Sequence, residues 1–210
     1  GRYYAIAMYV VSISGFCASV MVLADPVGIR RPGLDIDGEE AAQLADNMRA
    51  GALFLLMLSV LVFASVRHGL AALRERNVPR ILLTPAHRAM IVSLGLLGAT
   101  VGSIGIARGL VLLIIFSGIA VAGAIGMFRE TRIHRLTTNE RTIAHVGGLI
   151  GSGIGAYTAF FAFGGARLLG DLLPGQWQAA SWVIAPIIGT IAISRLTRRY
   201  RRPATSRQSV

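Results

Sequence analysis

The chain has 210 residues, 54% of them hydrophobic and only 15% charged, where a soluble domain carries about 25% charged residues. Its formal net charge is +11, but the basic residues sit between long uncharged runs and in a short tail, which excludes a nucleic-acid-binding protein and makes lipid the expected solvent. All 21 basic residues are Arg, so Schiff-base chemistry and a Lys-based phosphate loop are excluded, and the single Cys17 allows no internal disulfide.

The chain begins with Gly1. The first hydrophobic run, 3–23, lacks a basic leader of any size and a clear small-x-small cleavage site, so it is expected to be a retained membrane helix. Next comes an acidic loop, 25–48, that contains Asp35, Asp37, Glu39 and Glu40. It begins like a calcium loop but lacks the third ligand and the distal Glu. Acids capping a helix N-terminus account for it better, with Asp37 heading a helix that continues into the second run, 49–66.

Four further runs follow, 87–107, 110–128, 142–163 and 177–194. Each is close to the roughly 20 residues that cross a hydrocarbon core, and backbone groups there must be satisfied internally, hence as helix. Thr84-Pro85 signals the start of the third helix. Thr137-x-x-Glu140 has capping-box spacing before the fifth, Pro174-Gly175 marks the turn before the sixth, and Pro186 predicts a kink inside it. The expected fold is therefore all-α and polytopic, one six-helix membrane domain over 1–202 with a short polar tail, 203–210.

Orientation follows from Arg placement. Segment 67–88 carries five Arg and one Glu, segment 129–141 four Arg and two Glu, and the tail from Arg195 six Arg and no acid. The intervening connections differ: 25–46 holds six acids against two Arg, and the turns at Arg108 and Arg167 are short. Basic loops stay cytoplasmic, so both termini are expected inside and the acidic loop outside. Arg108 and Arg167 are expected to snorkel or to meet anionic headgroups or a partner's acid.

Runs three and four resemble runs five and six. His87 and His145 open the first helix of each pair; Gly-Ile-Ala-Arg108 lies 21 residues after one and Gly-Gly-Ala-Arg167 lies 22 after the other. Each second helix ends in an Arg cluster, as does the second run, which suggests three helical hairpins in parallel orientation. Simple obedience to the positive-inside rule explains the Arg clusters equally well, but not the histidines.

Gly95, Gly98, Gly102, Gly105 and Gly109 form one stripe, and Gly148, Gly151 and Gly155 another. Small residues let membrane helices approach closely, against each other or against a partner subunit. Such a stripe also suits a flat apolar ligand such as a haem, an apolar pigment or a quinone. The string Gly151-Ser-Gly153-Ile-Gly155 has no preceding strand and is no nucleotide loop.

The four histidines, His68, His87, His134 and His145, all belong to the cytoplasmic end. His68 and His134 sit among Arg and are expected at the headgroups. For His87 and His145 two readings stay open: axial ligation of a haem b, or interfacial anchoring. If they only anchor, His87→Ala and His145→Ala should leave stability near wild type. No acid is expected at mid-membrane depth, which speaks against an ion-coupled transporter, and no nucleophile, metal or Ser-His-Asp set points to an enzyme.

The His87-Arg88 pair, with His145 and Tyr157-Thr158 beyond a basic loop, resembles a group of uncharacterised bacterial multi-pass membrane proteins. About a third of the chain is covered, and Val146-Gly147-Gly148 replaces the Met that often follows the second His. The resemblance implies a bacterial inner membrane. The expected function is a non-catalytic membrane subunit that packs against partner helices or holds an apolar cofactor; the alternatives are a haem b electron-transfer protein and a small-molecule or lipid facilitator.

Overall fold

The computed structural model describes residues 2–30, 38–75, 81–132, 136–165 and 175–201. Among these there is no strand. Helix α1 spans Arg2–Ala24, the short α2 Pro26–Arg30, α3 Gly38–Arg74, α4 Pro85–Arg108, α5 Val111–Arg132, α6 Thr138–Ala159 and α7 Gly175–Arg201. A 3₁₀ turn, Ile81–Leu83, precedes α4, and α6 runs on into a π-helical turn, Phe160–Gly165. Among the described residues, α1, α3, α4, α5 and α6 with its π turn are long and apolar enough to cross a membrane. The sixth apolar run lies within α7, which contains Pro186.

Local chemistry explains the helix ends. The capping box before α6 is complete: Thr137 Oγ1 accepts from the Glu140 N–H at 3.3 Å, and the Thr137 N–H donates to Glu140 Oε2 at 2.7 Å. Thr84 precedes Pro85 at the start of α4 but makes no side-chain cap. Gly109 departs from its expected place on the α4 stripe. It is the left-handed C-cap of α4, with φ 65°, and a Cβ there would meet nothing within 4 Å. The Leu110 N–H closes this turn on Gly105 O at 2.8 Å, so α4 reverses into α5 over two residues.

Helix α3 is the hub. Its 37 residues span about 55 Å at 1.5 Å each, more than the roughly 30 Å hydrocarbon core. Its most apolar stretch is 61% buried, against 28% in α4, α5 and α6 and 11% in α1. Phe54, Met57, Leu58 and Leu61 on α3 meet Ile91 and Leu94 on α4 and Phe116 on α5 in one core. Consecutive long helices pack as pairs, α1 on α3, α4 on α5 and α6 on α7, while α6 also packs along α3.

Glycines set two of these contacts. On α4, a Cβ at Gly98 would lie 2.9 Å from Val121 Cγ2, one at Gly102 3.2 Å from Ser117 Cβ, and one at Gly105 2.9 Å from Leu113 Cβ. That face is closed against α5. Gly95 stands farther off, 3.7 Å from Ala124 Cβ. On α6, a Cβ at Gly148 would lie 2.5 Å from the Ser65 carbonyl oxygen, one at Gly155 2.8 Å from Val62 Cγ2, and one at Gly151 at an ordinary 3.5 Å from Ser65 Oγ. Here the close partner is α3, whose Gly69 would in turn place a Cβ 3.0 Å from His145 O.

The helix ends gather at two levels. At one, Arg108 Nη2 donates to both carboxylate oxygens of Asp46 at 2.7 Å. Arg108 therefore finds its acid within the chain, on α3. The pair is exposed, with Asp46 at 63%, so it contributes about 1 kcal/mol or less. At the other level, Asn139 at the start of α6 donates to Tyr200 O near the end of α7 at 3.0 Å, while Tyr4 near the start of α1 donates to Leu149 O, midway along α6, at 2.9 Å.

Candidate functional site

The second level holds the chemistry. His68 lies in the penultimate turn of α3, His87 in the first turn of α4, Glu130 in the last turn of α5 and His145 in the second turn of α6. His68 and His87 are 2% and 1% exposed, and their Nδ1 and Nε2 atoms are 3.0 Å apart. His68 Nε2–H donates to Glu130 Oε2 at 2.7 Å. With Glu130 ionised, His68 then accepts at Nδ1 from His87 Nε2–H, and three helices share one continuous hydrogen-bond chain.

This corrects the expected place of His68. It does not reach the headgroups among the Arg residues; α3 turns it inward, where both ring nitrogens are bonded. His134 lies outside the described residues, as do Asp35, Asp37, Arg167, Pro174 and the 203–210 tail. The two haem-ligand candidates are each engaged by α3. His87 bonds His68, and His145 Nδ1 lies 3.1 Å from the carbonyl oxygen of Gly69, the next residue along. So the histidines of α4 and α6 meet α3 at adjacent positions.

Sequence reasoning missed Glu130, which it counted among the charges of a basic loop. The helix in fact continues through it to Arg132, and its side chain, 31% exposed, turns toward His68. No local pattern signals this, since the two residues are 62 positions apart.

Beside the chain lies a cavity of about 270 Å³ among α3, α5, α6 and α7. Its walls are mostly apolar, and the glycines that line it, Gly123 and Gly126 on α5 and Gly147, Gly148 and Gly151 on α6, leave much of the backbone bare. The polar groups that reach it include Ser65, His68 and Glu130. Ser65 is 2% exposed, and its hydroxyl bonds no group among the described residues. Glu130 also lines a second depression of about 460 Å³, with Thr137, Asn139, Glu140 and Tyr200. A further cavity lies between α1, α3 and α4; its Ser12 and Ser59 hydroxyls bond carbonyls of their own helices, and Ser93 on α4 also lines it.

No protein family, characterised protein or solved structure matches the chain.

Proposed function

We propose that this chain is a bacterial inner-membrane protein that crosses the bilayer six times, with both termini cytoplasmic, as three parallel hairpins. In this reading it is a non-catalytic subunit that holds a small, largely apolar molecule in the cavity beside Ser65, His68 and Glu130. The observation that carries the binding role is the buried Ser65 hydroxyl, without a partner among the described residues, in a cavity lined also by the bonded His68–Glu130 pair. Polar groups inside a membrane bundle are costly and are kept for function. An apolar cavity with a few convergent polar groups is what a ligand site needs.

The topology draws on several observations. From Asp46 to His68, α3 rises about 33 Å, one hydrocarbon thickness. Arg67, Arg74, Arg88, Arg129, Arg132 and Arg141 all belong to the His68 end, and basic ends stay cytoplasmic. Asn139 brings the end of α7 to the start of α6, and Tyr4 near the start of α1 meets α6 one turn beyond His145. His87 and His145 both contact α3, one through the His68 ring and the other through the Gly69 carbonyl, which supports the repeat. A reporter fused after Tyr200 is expected to be active only when it is a cytoplasmic one. Activity of a periplasmic reporter at that position would reject the orientation.

For the cavity, the expected result is that benzene raises the unfolding temperature of the purified protein. A ligand at a hundred times its Kd stabilises by about 2.7 kcal/mol. Gly126→Leu should remove the rise without unfolding the protein, because a Cβ at Gly126 meets nothing within 4 Å. An unchanged benzene response in this variant would refute the assignment. A second reading, a facilitator that exchanges the molecule with the aqueous side, is favoured by one feature: Glu130 lines both the cavity and the outer depression.

A further inference from the structure

We infer that the cavity selects a neutral molecule of about one ring that carries a hydroxyl, a phenol or a comparable small alcohol, whose O–H is donated to Glu130 while Ser65 makes a second hydrogen bond. The inference rests on the cavity being a ligand site, and it names the chemistry that site would read.

Each part follows from the donors and acceptors present. His68 has both ring nitrogens bonded, one to His87 and one to Glu130, so it has no hydrogen bond to offer a ligand. Its part is to position Glu130. An ionised carboxylate has about four acceptor positions, and His68 takes one of them on Oε2. The polar lining therefore combines an acceptor, Glu130, with the hydroxyls of Thr190 and of Ser65, the latter buried and without a partner among the described residues. A ligand that brings an O–H satisfies both.

Charge narrows the class. No Arg is among the residues that line the cavity, so a carboxylate or phosphate there would face Glu130 with no counter-ion. Arg129 and Arg132 flank Glu130 on α5, and their field disfavours an ammonium there. A neutral hydroxyl meets neither obstacle. Size fits as well: an apolar cavity of about 150 Å³ holds benzene, and this one is about 270 Å³. The bare backbones at Gly123, Gly126, Gly147 and Gly151 leave the ring room between α5 and α6.

The test compares phenol with benzene as probes, by titration of the purified full chain in detergent. Phenol is expected to bind the wild type, and Ser65→Ala and Glu130→Gln are each expected to weaken phenol about tenfold relative to benzene, the scale of one hydrogen bond to a charged or buried group. Benzene binding in the same variants reports that the cavity is intact; if Glu130→Gln fails to fold, Ser65→Ala carries the comparison alone. If benzene binds and the phenol-to-benzene ratio is the same in wild type and in the folded variants, the hydroxyl assignment is overturned while the cavity reading stands. If neither probe binds the wild type, both fall.

Discussion

Gly148→Ala is expected to destabilise the bundle by roughly 2–3 kcal/mol, whereas Gly147→Ala, one residue earlier, is expected to stabilise it by up to about 1 kcal/mol. Both exchanges add one methyl group to the same turn of α6, and both gain the same helix propensity. They differ in what the methyl meets. At Gly148 it would stand 2.5 Å from the Ser65 carbonyl oxygen and 3.1 Å from Gly69 Cα, while at Gly147 nothing lies within 4 Å. The obstacle at Gly148 is backbone on α3, which cannot swing aside as a side chain can, so α3 and α6 must separate. That contact also seats His145 on the Gly69 carbonyl. In lipid the helices gain nothing from hiding apolar surface from each other, and close van der Waals contact carries much of their association. Reversible unfolding of the two variants in mixed detergent checks the prediction. Equal midpoints would show that α6 does not approach α3 as closely as this.

The second large effect falls on His68. His68→Ala is expected to cost about 3 kcal/mol, because it orphans two partners at once: a buried imidazole on α4 and a carboxylate on α5. His87→Ala leaves only the His68 Nδ1 unpaired and is expected to cost about 1–3 kcal/mol. This replaces the expectation, drawn from sequence, that His87 is dispensable. That expectation assumed a ring at the interface, and the ring is 1% exposed. The combination of the two substitutions should cost clearly less than the sum of the single ones, since either alone already breaks the shared bond. Unfolding free energies of the four proteins form the cycle. Strict additivity would mean that the two rings do not bond.

The local features of the fold were legible before any coordinates. The apolar runs became the long helices, and the Thr137–Glu140 box sits where its spacing put it, because hydropathy and capping depend on neighbours along the chain. The start of α3 at Gly38 agrees with a helix headed by the acidic loop, although Asp37 itself lies outside the described residues. Gly109 was misplaced for an instructive reason. Spacing continues its stripe, but the backbone ends one residue sooner, and a glycine there caps the helix instead of packing it.

What sequence alone determined was which stretches are long and apolar enough to cross a membrane and which connections carry the positive charge, since both depend only on composition along a short window. The tertiary structure decided which face of each helix turns inward. In a soluble protein polarity marks that face, because water and core differ; in a bilayer the lipid is as apolar as the core, so the mark disappears. Hence the joining of His68 to Glu130 across 62 residues, the pairing of Asp46 with Arg108 and the cavity behind Ser65 emerge only once the helices are set against one another.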